Sequence, residues 1–239
     1  MTRASFLELK RFVDWMSKLF GYSVIIIGGW AKFLHVGGRG SRDIDVVLPD
    51  LAVDKGIAET FFRDSGYLSE GFLVKNFFKV VETANGPEKV YFDVFVMRDG
   101  NFVEGTNIEL PWSLIETHSV RKDLEGTEVR VPTIELLTMY KVKAFHDRSV
   151  RMARGEDTIK LRAKLPKDQE DILELISAKD FDVIGLIKLA KECDFLEVLT
   201  GNLKRIALDG TIGSEQKGRL MSLLSKVPPK KKKGPRKKR

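Results

Sequence analysis

Asp43 and Asp45, in the run "DIDVVLP", stand two residues apart at the head of an apolar segment. A strand rises about 3.3 Å per residue and alternates faces, so both carboxylates emerge on one side roughly 6.6 Å apart. Two like charges so placed each disfavour the other's ionisation unless a cation lies between them. Carboxylate oxygens suit Mg2+, which is held by one or two carboxylates together with substrate phosphates. The chemistry indicated is metal-assisted work on a phosphorylated substrate. Asp93 is a third candidate, because it interrupts the apolar run "KVYFDVFVM", where an unpaired charge is costly. Pairing with a buried arginine is the structural alternative for it. The spacing alone is common: "DFD" at Asp180 and Asp182 repeats it, and "DLE" at Asp123 and Glu125 nearly does. Only the 43/45 pair both opens a strand and follows a Gly-Gly.

That Gly-Gly, Gly28 and Gly29, ends the apolar run "YSVIII". Without β-carbons the backbone can approach a triphosphate closely, and the amides that open the next helix can meet its negative charge. A strand-to-helix turn uses glycine for its own reasons too, so the pair gains meaning from the aspartates. Ser41 can donate a further hydrogen bond, and Arg42 follows it. Lys141 and Arg148 are seven apart on a helical stripe with Ile134, Leu137 and Ala144, which turns both cations toward the protein. A triphosphate is one anionic partner for them; salt bridges to Asp168 or Asp171 are the other. Lys143 reads as surface. Asp168 and Asp171 fall in the first turn of the helix expected after Pro166, where amide ends favour acids. His35, His118 and His146 have no usable spacing, and Phe77 and Phe78 read as core.

The elements that must position these groups follow from periodicity and turn residues. Residues 5–20 form an amphipathic helix, residues 22–27 a buried strand and residues 30–36 a short helix. "DIDVVL" is the second strand, and one helix runs through "LAVDKGIAETFFRDSG" to Gly66. "FLVKNFFKVVET" and "KVYFDVFVM" form a hairpin across "ANGPE", and "THSVRKDLEGTEVRVP" a second with Glu125 and Gly126 in its turn. After Pro132 the composition becomes helical: "TIELLTMYKVKAFHDR", a basic irregular connector over about 150–165, a helix opened by Pro166, then two or three more to about residue 226. The expected fold is α/β (α+β), a mixed sheet flanked by helices and followed by a helical part. Residues 1–131 are read as the catalytic domain, 132–226 as a helical domain and 227–239 as a disordered tail.

Hydrophobic residues make up 43% of the 239 and charged ones 31%, as in soluble globular proteins. No apolar run approaches the roughly 20 residues of a membrane helix, and "MTRASFLELKRFVDWM" carries acids in its apolar part, unlike a secretory signal. The cytoplasm is the expected location, with no membrane partner. One cysteine excludes an internal disulfide framework and a thiolate zinc cluster. Of the net charge of +7, the tail Lys230, Lys231, Lys232, Lys233, Arg236, Lys237, Lys238 and Arg239 contributes eight cations, leaving −1 for the rest. Such a tail attracts phosphate backbones without sequence preference; a solubilising appendage or a nuclear-import signal has the same composition.

Gly28, Gly29, thirteen residues, then Asp43-Ile44-Asp45-Val46 resembles the signature of the polymerase β-like nucleotidyltransferase superfamily, with Asp93 where that superfamily carries its third acid. Within it, "GGWAKFLHVGGRGSRDIDVVL" with "LLTMYKVKAFHDR" and "KDQEDILEL" looks most like AbiEii-type abortive-infection toxins and related small prokaryotic nucleotidyltransferases, over about residues 20–180. Those carry an arginine before a serine or threonine, an order that Ser41 and Arg42 invert. The resemblance implies transfer of a nucleotidyl group from an NTP such as ATP to an acceptor hydroxyl. Asp43, Asp45 and Asp93 would be the catalytic metal ligands for Mg2+ or Mn2+, with Asp93 able to take the hydroxyl proton. Gly28, Gly29, Ser41, Arg42, Lys141 and Arg148 would bind the nucleotide. RNA, tRNA included, is the acceptor that the tail and the toxin resemblance favour, and an antitoxin is the protein partner implied. A non-catalytic nucleotide- or nucleic-acid-binding protein of the same fold is the alternative.

Overall fold

A computed structural model of the chain describes residues 3–21, 24–54, 56–69, 76–156 and 158–229. The basic tail, Tyr22 and Ser23 of the first expected strand, and residues 72–75 of the third lie outside them. In chain order the elements are α1 (Arg3–Phe20), β1 (Ile25–Ile26), α2 (Gly28–Val36), β2 (Asp43–Leu48), α3 (Asp50–Asp54), α4 (Ile57–Asp64), β3 (Leu68–Ser69), β4 (Asn76–Thr83), β5 (Gly86–Val96), α5 (Leu114–Thr117), β6 (Ser119–Leu124) and β7 (Thr127–Pro132). They continue as α6 (Ile134–Ala153), α7 (Ile159–Ile176), α8 (Val183–Glu192), α9 (Leu196–Ala207) and α10 (Ser214–Ser225). No helix among the described residues is long and apolar enough to cross a membrane.

Seven described strands form one mixed sheet in the order β3-β4-β5-β2-β1-β7-β6. β2 runs parallel to β5 and antiparallel to β1, which in turn runs parallel to β7. Alternation along β2 and β5 sends Ile44, Val46, Phe92 and Val94 to one face, where they pack with α1 and α4. Phe12, Phe62, Phe77 and Phe92 form the aromatic centre of that cluster, Phe62 and Phe77 stacking 3.9 Å apart. Ile25, Ile27 and Val47 point to the other face, into a cluster built on α6, against which α8 and α9 pack in turn. The acids of β2 lie on this second face.

The expected fold class and both hairpins are observed, with local differences. The first strand is shorter than 22–27, ending at Ile26 because the chain turns into α2 at Gly28, whose φ is +64°. The single helix expected to Gly66 is two, α3 and α4, parted near Gly56, which adopts the left-handed conformation at φ 63°. The β4–β5 turn is tighter than "ANGPE": Thr83 pairs with Gly86, so Pro87 and Glu88 belong to β5. Glu125 and Gly126 occupy the β6–β7 turn, both at positive φ. The irregular connector over 150–165 is replaced by the end of α6 and by α7, which starts at Ile159 and holds Pro166 in its interior. Thr158 caps it by accepting the Leu161 amide at 3.1 Å. Leu161, Ile172, Leu173 and Leu175 bury one side of α7, and this packing outweighs the hydrogen bond that an interior proline forfeits.

Candidate active site

β2 and β5 are in register, Asp43 opposite Tyr91 and Asp45 opposite Asp93. Neighbouring strands lie about 4.8 Å apart and paired residues share a face, so all three acids emerge from adjacent strands onto the surface bordered by α6 and α7. On the far side of β5, Asn76 of β4 pairs with Asp93. The two other acid pairs of similar spacing have ordinary structural work. Asp182 caps α8 by accepting the Ile184 amide at 2.9 Å, and Asp123 accepts the Gly126 amide at 3.0 Å in the β6–β7 turn.

The glycine pair is explained by the protein's own packing. A β-carbon on Gly28 would lie 2.0 Å from Oδ2 of Asp45, and one on Gly29 2.7 Å from the β-carbon of Ser41. The turn into α2 is thus laid directly against the acid, and the Ile27 amide donates to the Asp45 carbonyl at 2.9 Å. No side chain caps the start of α2. Ser41 is buried and its carbonyl accepts the Ser5 hydroxyl at 2.6 Å, which fixes the approach to β2. Trp30 lies under Gly40, where a β-carbon would come within 2.7 Å of the indole. Arg42 is exposed at the rim.

Burial, then the neighbouring charge of Asp93, pushes the Asp45 carboxyl up to about 6, with Asp43 adding to the rise and Lys141 and Lys164 opposing it. Asp43 is half-buried and accepts a hydrogen bond from Lys164 Nζ at 3.3 Å. Behind the acids, Lys141 Nζ donates to Asp171 Oδ2 at 2.6 Å, and Asp171 faces Lys32 at 3.6 Å, itself bonded to Glu174 at 2.6 Å. Arg148 pairs with Asp168. Burial lowers the Arg148 pKa, while the charges of Asp45, Asp147 and Asp171 act in the opposite sense. The two cations therefore do face the protein, and both have acidic partners on α7.

Three expectations are corrected here. Asp168 and Asp171 are in the middle of α7, not its first turn, because the helix begins at Ile159 rather than at Pro166. Lys143 is not a surface group: its side chain is 13% exposed and bonds Asp147 at 2.6 Å. Phe77 is core, as expected, but Phe78 points to the opposite face, beside Tyr91. Sequence reasoning missed Lys32 and Lys164. The signal for Lys164 was its spacing of four and seven to Asp168 and Asp171, one helical face, which the proline concealed.

Two hollows flank Asp43. One, of about 770 Å³, runs from Asp43 and Asp93 along β5 to Pro87 and is bordered by Arg42 and Lys164. The other, of about 700 Å³, lies between α2, residues 38–42 and α7, and includes Gly29, Lys32, Lys167 and Asp171. No group of three His, Cys, Asp or Glu among the described residues is gathered closely enough to enclose a metal ion by itself. The donors on offer are carboxylates, and their crowding raises the Asp45 carboxyl despite Lys141 and Lys164, a donor set that fits a hard cation that also takes substrate oxygens.

No protein-family model matches the chain, and no curated protein matches it by sequence. Among solved structures it is similar to an antigenic nucleotidyltransferase-like protein from Paracoccidioides brasiliensis, at 14% identity and a TM-score of 0.58 over 94% of both chains. The fold is therefore nucleotidyltransferase-like. A lincomycin-bound lincosamide antibiotic adenylyltransferase also matches, at 19% identity and a TM-score of 0.42 over 72% of this chain and 96% of that one. A putative nucleotidyltransferase from Thermotoga maritima matches at 16% identity and a TM-score of 0.38, over 70% of this chain and 96% of that one.

Proposed function

We propose that the protein is a divalent-metal-dependent nucleotidyltransferase. The observation that carries this reading is the in-register pair Asp45 and Asp93, with Asp43 two residues away and Gly28 pressed against Asp45. An acceptor hydroxyl oxygen bonds to the α-phosphorus of an NTP, the bond from that phosphorus to the bridging oxygen breaks, and pyrophosphate leaves. The hydroxyl proton passes to a carboxylate, for which Asp93 is the candidate. Asp43, Asp45 and Asp93 are the residues that would hold Mg2+ or Mn2+, which when bound neutralises charge on the phosphate oxygens.

The hollow at Gly29, Ser41 and Arg42 is the proposed triphosphate side. The start of α2, which no side chain caps, offers amides to an anion, while Arg42 and Lys167 add positive charge and Lys32 is held by Asp171 and Glu174. Lys141 and Arg148 then act through Asp171 and Asp168, holding α7 against the site and offsetting the charge of Asp45. RNA is the proposed acceptor, with a toxin-like role and an antitoxin partner resting on the sequence resemblance alone. The tail, residues 230–239, is proposed to aid RNA binding.

A second reading, a nucleotide-binding protein of this fold without turnover, draws on the Lys164–Asp43 ion pair, which already offers Asp43 a cation. Incubation with each α-labelled NTP, Mg2+ and total RNA separates the two. Label on RNA that disappears in Asp43→Asn and Asp45→Asn supports transfer. Retention of NTP without transfer supports the second reading, and transfer surviving both substitutions overturns the assignment of these acids.

A further inference from the structure

The β4–β5 hairpin extends beyond the strand that carries Asp43 and Asp45. β2 pairs with β5 only from Tyr91 to Val96, whereas β4 pairs with β5 as far as Gly86. Among the described residues, 79–83 and 86–90 are thus a two-stranded arm with no strand paired to it on the β5 side. One face of this arm is anchored, through Val90 and Val81, in the core. The opposite face continues the surface of the three acids. Two residues along β5 from Asp93 stands Tyr91, and opposite Tyr91 stands Phe78, their ring centroids 6.3 Å apart. Both rings are half-buried, and Val80, further out, is 54% exposed. Lys89 Nζ lies 3.8 Å from the Phe78 ring centroid and 4.6 Å from that of Tyr91.

We infer that this arm is the acceptor platform, where Phe78 and Tyr91 take the terminal base of a single-stranded RNA and Lys89 and Arg42 meet its phosphates. The inference rests on the transferase reading above and adds the substrate class of the cleft. Stacking on aromatic rings accepts any base because every base has a π-face, and basic side chains tracking the backbone complete such a groove. The ammonium of Lys89 occupies the ring face that a base would take. The residue is exposed, so in this inference a stacked base displaces the ammonium toward a phosphate. The charged lining of the cleft is balanced, Arg42, Lys89 and Lys164 against Asp43, Glu88 and Asp93, and the exposed Arg42 and Lys89 are the cations placed to meet phosphates. The position of Tyr91, one alternate residue from Asp93, puts the ribose of a stacked terminal nucleotide beside the acids.

The test uses the full chain, a 5′-fluorescein 12-nucleotide single-stranded RNA with a free 3′ hydroxyl, and the same RNA with an abasic 3′ ribose. Binding is read by anisotropy without NTP and transfer by α-labelled NTPs. Tyr91→Ala and Phe78→Leu are expected to weaken binding and raise the RNA KM about 5- to 150-fold each, with NTP affinity unchanged. Tyr91→Phe, which keeps the ring, should stay within about threefold of the parent. The abasic RNA should lose a similar factor on the parent protein but little more on Tyr91→Ala. Lys89→Ala should reduce the salt slope by about 0.7. Parent-like RNA binding by both ring variants, or equal binding of the abasic RNA, overturns the platform, and continued RNA labelling then leaves the transferase standing. Labelling of an aminosugar in place of RNA likewise overturns the platform alone. Ring-dependent RNA binding with no labelling supports the platform and refutes the transferase; absence of RNA binding, NTP binding and labelling in folded protein refutes both.

Discussion

Asp45→Asn tests the electrostatic reading of the site without any substrate. In the folded protein the Asp45 carboxyl is moved from its ordinary 3.8 to about 6, by burial and by Asp93. A carboxyl raised on folding binds its proton more tightly when folded, so stability is lost as pH rises from 3.8 to about 6, the loss is complete above that, and nothing is lost once both states are protonated. About two units at 1.36 kcal/mol each give an upper figure of about 3 kcal/mol at pH 7.5. At pH 4.5 the folded group is protonated and only its unfolded ionisation remains, leaving about 1 kcal/mol. The asparagine variant should therefore unfold at higher urea than the parent at pH 7.5, by up to about 3 kcal/mol, and the gap should shrink by about 2 kcal/mol at pH 4.5. Millimolar Mn2+ should stabilise the parent by mass action and narrow the gap, with no comparable effect on the variant. The transfer activity should be lost although the variant is the more stable protein. A variant no more stable than the parent at pH 7.5, or a gap that ignores pH, refutes the like-charge argument; a gap that ignores Mn2+ refutes the metal assignment.

Gly28→Ala should cost more than Gly21→Ala, since both glycines have φ near +60° but only Gly28 has Asp45 in the way of a β-carbon. The strain of a positive φ is of order 1–3 kcal/mol, and urea unfolding of the two variants isolates the contribution of the carboxylate clash. Lys141→Met should destabilise by less than the roughly 3–5 kcal/mol of a fully broken buried ion pair, because Lys32 still faces Asp171. Adding Asp171→Leu should recover part of the loss in the same assay. Pro166→Ala should stabilise by about 1–3 kcal/mol, since α7 is continuous through an exposed proline; a loss of stability would mean that the helix depends on the proline's geometry.

Local features were legible wherever a few adjacent residues settle the backbone. Glu125-Gly126 between two alternating runs announced the β6–β7 turn, and the apolar run after Asp43 announced β2. Thr158 was a cap in plain view, but the proline after it carried more weight than the apolar spacing of α7. Reading the helix from Pro166 also displaced Asp168 and Asp171 to its first turn and hid Lys164. Phe78 was taken as core alongside Phe77 although alternation along a strand must send neighbours to opposite faces. That one-residue difference separates a core ring from a ring on the opposite face, beside Tyr91.

By itself, the amino-acid order determined that Asp43 and Asp45 would share a face, that Asp93 would interrupt a buried strand, and that glycines would precede them. These are consequences of strand periodicity and of the cost of an isolated charge, both local. Only the tertiary structure decided that β5 lies parallel to β2 with Asp93 level with Asp45, that Gly28 abuts that carboxylate, and that α7 supplies the acids facing Lys141 and Arg148. Strand order and register depend on how two cores close on the sheet's two faces, and that closure involves residues far apart in the chain, whose partners no short spacing can specify.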